Sequence, residues 1–139
     1  MKFNNILLVD DDESTNRFHQ IVINRLEITN KITFARNGKK ALDYLLSKEE
    51  FAGNKEFVQP EFIIIDLNMP VMSGFRFVEL YMETENFKKH KPKIIVLSTS
   101  LIPEEKEKIE ANKDIFMFLN KPLTKDVIVS VLVGNYIEN

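Results

Sequence analysis

Five short runs of apolar, largely β-branched residues constrain this chain more than any other feature. They are "NILLVD" (5–10), "KITFA" (31–35), "EFIIID" (61–66), "KIIVLS" (93–98) and "IFMFLN" (115–120). Each is too short for a helix and too continuously apolar for a strand with one wet face. Strands of this kind are buried on both sides, which is the condition of a parallel sheet covered by helices. The intervening segments supply those helices. Phe18, Ile21, Val22 and Leu26 fall at helical spacing behind Ser14 or Thr15 as an N-cap. Ala41, Leu42, Leu45 and Leu46 give a second helix after Gly38, and a third begins near Ser73. A fourth follows Pro103 through "EEKEKIEANK", with Ile109 and Ala111 as its core anchors. Thr124 caps a fifth, in which Val127, Ile128, Val131 and Leu132 share one face. That segment is rich in β-branched residues, but its place after a proline and an N-cap makes it helix.

The 139 residues suffice for one domain with a real core, and no repeat, low-complexity tract or linker divides them. The expectation is one domain spanning 1–139. The connection 47–60 is longer than the usual two to six residues. Apolar residues make up 44% and charged residues 29%, a globular composition, and the net charge of −2 argues against a nucleic-acid surface. Lys88, Lys89, His90, Lys91 and Lys93 read as a solvated loop, and His19 and His90 as solvated surface. There is no cysteine, so disulfides, thiolate catalysis and cysteine-bound metals are excluded. No apolar run reaches a membrane span and the first residues lack a signal peptide, so the expected location is the cytoplasm, with no membrane partner.

The polar residues at the end of each apolar run carry the chemistry. The first run ends in Asp10 and Asp11, the third in Asp66, the fourth in Ser98, and the fifth is followed by Lys121-Pro122. In a parallel sheet all carboxyl ends lie on one edge, where open α/β sheets bind ligands. Like charges about 4 Å apart cost roughly 4 kcal/mol per pair at an effective dielectric near 20, so such acids call for water or a cation. Carboxylates without nitrogen or sulfur ligands suit Mg²⁺, and a lysine with a hydroxyl suits phosphoryl oxygens. An aspartate in that setting can form an aspartyl-phosphate. A lone strand-terminal Asp is ordinarily a cap, and Asp12 and Glu13 read as no more than that. The whole set on one edge is a phosphoryl-transfer site in outline.

The stretches "LLVDDDE", "IIIDLNMPVMSG" (63–74), "IIVLSTS" (from Ile94) and "FLNKPL" (from Phe118) resemble the receiver domain of two-component response regulators, the CheY-like group, over essentially the whole chain. The second is the most specific: a strand-terminal Asp, a Met-Pro four residues on and a Gly eight residues on. The resemblance implies a flavodoxin-like (βα)5 fold, a doubly wound five-stranded parallel sheet in the order 2-1-3-4-5. It implies Asp66 as phosphoacceptor from a histidine kinase or histidine phosphotransfer protein. It implies Mg²⁺, with Mn²⁺ as substitute, held by Asp10, Asp11, Asp66 and the backbone carbonyl of Asn68. Lys121 would pair with the phosphoryl group, and its bond to Pro122 is expected to be cis. Ser98 and Phe118 would form the switch, read out on the fourth helix, fifth strand and fifth helix by an unnamed downstream protein. The implied protein is not a classical enzyme: it catalyses only its own phosphorylation and dephosphorylation. It would be a monomer or a weak phosphorylation-dependent homodimer. Ser98 and Thr99 depart from the commoner Thr and Ala or Gly. The long 47–60 connection is similar to that of receivers partnering phytochrome-type kinases.

Two other functions fit parts of the pattern. A haloacid-dehalogenase-like phosphatase would take Asp10 as nucleophile and Asp12 as acid, with Ser98 and Lys121 in its next motifs. It leaves Asp66 without a role, and no late acidic pair follows Lys121. A receiver-like binding module that never uses phosphate would ordinarily have lost the acceptor, an acid or the lysine, and all are present.

Overall fold

In the computed structural model, which describes residues 2–99, 102–121 and 123–134, the five apolar runs pair as one parallel sheet. Its strands are β1 (Ile6–Val9), β2 (Ile32–Ala35), β3 (Phe62–Asp66), β4 (Lys93–Ser98) and β5 (Ile115–Asn120), in the order β2-β1-β3-β4-β5. Ile6 lies level with both Ile32 and Phe62, and Phe62 with Lys93, so the strands run nearly in register. Successive side chains on a strand face opposite ways. Leu7, Val9, Ile63, Ile65, Ile94 and Val96 therefore pack on one face, and Ile6, Leu8, Ile64, Ile95 and Leu97 on the other. The first face is covered by α2 (Gly38–Leu46), α3 (Gly74–Met82) and α5 (Pro103–Ala111), the second by α1 (Glu13–Arg25) and α6 (Lys125–Ile128). Thr124 caps α6 as expected, and the helix continues as a π-helical turn through Val129–Val133 with Val131 and Leu132 buried. Among the described residues no helix is long and apolar enough to cross a membrane.

Five local expectations are corrected. The N-cap of α1 is Asp12, whose side chain accepts from Ser14 N, not Ser14 or Thr15. The buried stripe of α1 is Asn16, His19 and Ile23, while Phe18 and Ile21 face outward at 47% and 45% exposure. His19 is therefore a core residue and not solvated surface. The lysine-rich stretch is not a loop: Thr84 accepts from Phe87 N and starts α4 (Glu85–His90), which buries Phe87. In α5 only Ile109 is buried, and Ala111 is exposed. Pro122, whose peptide bond was expected to be cis, lies outside the described residues.

The long connection is pinned rather than loose. Asn5, fully buried on the way into β1, donates to Val58 O at 2.8 Å and accepts from Thr33 Oγ1 at 3.0 Å. Tyr44 OH donates to Val58 O, and Phe51 and Phe57 pack on the Tyr44 ring. Asn86, on α4, donates to Leu45 O and to Gln59, and accepts from Tyr81 OH at 2.5 Å. Tyr81 is wholly buried, and burial pushes its phenol up to about 12. The neutral phenol is thus favoured in the fold. The stabilisation is whole below pH 10, the unfolded value, and is lost as pH rises to about 12. It amounts to about 3 kcal/mol. Tyr81→Phe should be about 1 kcal/mol less stable than wild type at pH 8, for want of the hydrogen bond, and more stable above pH 12. Urea unfolding of both proteins across that range checks the crossing; parallel curves would remove the assignment.

Candidate functional site

The sheet topology puts Asp10, Asp66, Ser98 and Lys121 on one edge. Asp10 comes directly after the last residue of β1, its amide bonded to Ala35 O; Asp66 and Ser98 end β3 and β4; Lys121 comes directly after β5, its amide donating to Ser98 O at 3.0 Å. Asp10 and Asp66 are 3% and 7% exposed, Ser98 is fully buried, and Asp11 is exposed. Lys121 Nζ stands 2.6 Å from Asp10 Oδ2 and 3.3 Å from Asp66 Oδ2, so one ammonium bridges acids from two strands. Phe118, on β5, is half-buried against the core on the side of α5.

The surroundings hold these groups in place. Asp10 Oδ1 accepts from Asp12 N at 2.9 Å, and Asn16 Nδ2 donates to Asp10 O at 3.0 Å. The Asn68 amide lies 3.4 Å from Asp66 Oδ1. Gly74 N donates to Leu67 O at 2.8 Å and closes the loop after Asp66. Burial raises the Asp66 carboxyl above its ordinary value; Lys121 opposes this and Asp10 adds to it. Burial draws the Lys121 ammonium down, but the bond and charge of Asp10, with the charge of Asp66, outweigh it and leave the pKa raised. Lys121 is therefore charged at neutral pH.

One oxygen each from Asp10, Asp11 and Asp66 lies within 4.8 Å of the others. Three carboxylates fit a hard divalent cation, and the Lys121 ammonium offsets only part of their charge. Asp12, a catalytic acid in the phosphatase alternative, is held otherwise. It caps α1, and its bonds with Thr15 Oγ1 and Ser14 N lower its pKa, which is the wrong direction for a proton donor.

Sequence reasoning missed Asn16 and His19, which lie under the acid edge. Asn16 ties α1 to Asp10, and burial lowers the His19 pKa while nearby Asp10 opposes that. The signal for Asn16 was its place one turn after an N-cap Asp, on the side that also holds Ile23. It was hidden by the more apolar residues at 18 and 21.

The receiver-domain profile of response regulators matches residues 6–133. The two-component response regulator ARR17 of Arabidopsis thaliana is 32% identical over 121 residues, covering 85% of this chain and 75% of that protein. A two-component response regulator from Cytophaga hutchinsonii superposes with a TM-score of 0.83 at 27% identity, over the full length of both chains. The Mn²⁺-bound form of Rcp1, a Synechocystis response regulator, has the same fold, with a TM-score of 0.75, 24% identity and coverage of 93% of this chain and 94% of that one. With the sheet order, the acid edge and the profile in agreement, the chain belongs to the response regulator receiver domain family.

Proposed function

We propose that this receiver acts as a one-domain regulator, residues 1–139, that accepts a phosphoryl group on Asp66 from the phosphohistidine of a histidine kinase or phosphotransfer protein. The observation that carries the reading is Lys121 Nζ bridging Asp10 and Asp66 beside a third carboxylate. An Asp66 carboxylate oxygen attacks phosphorus. The O–P bond forms as the P–N bond to the donor imidazole breaks, and the imidazole leaves to take up a proton. Lys121 then exchanges its contact with Asp66 for the transferred phosphoryl oxygens, and its charge offsets theirs. Asp10, Asp11, Asp66 and the Asn68 carbonyl would hold Mg²⁺, or Mn²⁺ as in Rcp1; the bound cation supplies positive charge against the phosphoryl oxygens.

Phosphorylation replaces one negative charge by about two and adds acceptors for the Ser98 hydroxyl. Movement of Ser98 toward the phosphate frees volume that Phe118 fills, shifting the surface made by α5, β5 and α6. The single buried anchor of α5, Ile109, and the lack of a side-chain cap at its N-terminus suit an element that moves. The downstream partner is a protein, and the domain works without nucleic acid or membrane.

Acetyl phosphate with Mg²⁺ should place label on Asp66, read by peptide mapping. Label on Asp10 instead would support the phosphatase. Asp11→Ala should weaken Mg²⁺ binding at least tenfold by titration, and unchanged affinity would remove Asp11 from the metal set.

A further inference from the structure

The cations of this chain are not spread evenly. Lys88, Lys89, Lys91 and Lys93 stand within six residues, with His90 among them. Elsewhere Lys39, Lys40 and Lys106 each meet an acid, Asp43, Glu50 and Glu110 respectively. Lys88, Lys89 and Lys91 are exposed and form no ion pair among the described residues. The carbonyl end of a helix favours a cation, but α4 has only six residues and one lysine would serve it. Lys91 also caps α4 at φ +44°, in the left-handed region, where glycine would sit with less strain. Its amide donates to Phe87 O at 2.8 Å, a bond that needs no side chain. Folding alone gives no reason for this density of charge.

A cleft beside it supplies one. The cleft holds about 440 Å³, with Phe3, Phe62 and Pro92 on its apolar side and His90, Lys91 and Lys93 on its cationic side. Glu61, which also lines it, is engaged by the Asn4 amide. The basic groups are positioned before contact. Lys93 Nζ lies 5.8 Å and 5.3 Å from the ring centres of Phe62 and Phe116, while α4 is pinned by buried Phe87 and by Asn86 on Leu45 O. Preordered groups lose less entropy on binding. Unmatched positive charge beside an apolar cleft attracts a ligand with several carboxylates and one apolar side chain. A duplex or a bilayer needs a broader basic face, and here exposed Glu83 and Glu85 precede the lysines on a chain of net charge −2. Phe62 and Lys93 open β3 and β4, whereas Asp66 and Ser98 close them, so the cleft lies about 13 Å from Asp66 along β3. We propose that this amino edge of the sheet is a second docking site, separate from the chemistry at Asp66. It takes an acidic peptide segment of a partner protein, with carboxylates on Lys88, Lys89 and Lys91 and an apolar side chain in the cleft.

The probe is a fluorescein-labelled peptide of six glutamates around one phenylalanine, titrated with the full chain and read by anisotropy. Wild type should saturate with a dissociation constant below about 1 mM, and affinity should fall as salt rises. Lys88→Glu with Lys89→Glu should weaken binding at least tenfold, and Lys91→Gly at least threefold. Lys91→Gly relieves the backbone and should melt no lower than wild type, so its loss is not unfolding. The control, Arg17→Glu with Lys125→Glu, makes the same change of net charge as the first pair, on exposed residues of α1 and α6, and should stay within twofold of wild type. A peptide with glycine in place of phenylalanine should bind at least threefold more weakly. Absence of saturation, wild-type affinity in the lysine variants, or an equal loss in the control would overturn the proposal. So would equal binding of the two peptides, which would remove the cleft. Tighter binding of a DNA duplex or of phosphatidylserine vesicles would give the patch to another class of partner and overturn it as well.

Discussion

Replacing Gly74 by alanine is expected to cost about 3 kcal/mol of stability and to reduce acetyl-phosphate labelling of Asp66 at least tenfold. A Cβ at Gly74 would lie 2.5 Å from Asp66 O, 3.0 Å from Leu67 Cα and 3.1 Å from Asp66 C. All three are backbone atoms, so no rotamer change relieves the clash. The same residue donates to Leu67 O and caps the approach to α3, which begins at Gly74 behind Ser73. Relief must come from moving α3 or the end of β3, and overpacking of that kind costs roughly 1–3 kcal/mol or more. Moving β3 displaces the carboxylate it ends in, and about 1 Å of misplacement is enough to lose a hundredfold in rate. Urea unfolding with a parallel labelling assay reads both effects. Gly134→Ala is the control, because among the described residues nothing lies within 4 Å of its added Cβ. Equal behaviour of the two variants would mean that the close approach at Gly74 is absorbed elsewhere.

The legible parts of the fold were those where burial is two-sided. Ile63, Ile64 and Ile65 leave no choice of face, so β3 and its terminal Asp66 could be read directly, and Asp10, Ser98 and Lys121 could be placed from their positions at the ends of β1, β4 and β5. Helices were read less well because a stripe can be rotated without breaking its period. On α1 the apolar positions 18 and 21 suggested one face, but Asn16 and His19 lie inward because Asn16 has Asp10 O to bond. The helix α4 rests on a single buried residue, Phe87, and a cap, a signal that five nearby basic residues conceal. The left-handed backbone of Val71, φ +70°, was hidden for a different reason: nothing in "MPVM" reports it, since a β-branched residue rarely adopts a positive φ.

Asp66→Asn should abolish phosphoryl uptake completely and yet make the cation-free protein more stable, by about 1 kcal/mol, the ordinary gain when a site tuned for function is relaxed. The first half rests on chemistry, because an amide is a poor nucleophile toward phosphorus. The second rests on charge. Asp66 is buried beside Asp10, and burial and that neighbour both disfavour its ionised form, with Lys121 and the Asn68 amide opposing them. Asparagine keeps the shape, removes one negative charge, and leaves Lys121 its shorter contact, 2.6 Å to Asp10 Oδ2. Mg²⁺ should reverse the order. A ligand that binds only the folded state stabilises it by about 2.7 kcal/mol at a hundredfold excess over its dissociation constant. Wild type, with three carboxylates, should gain more than the variant, which keeps two. Thermal unfolding with EDTA should therefore favour the variant, and with saturating Mg²⁺ the wild type. A variant less stable under both conditions would mean that the acid edge is a structural ion-pair cluster, since only a site that stores repulsion for a cation becomes more stable when one of its acids is neutralised.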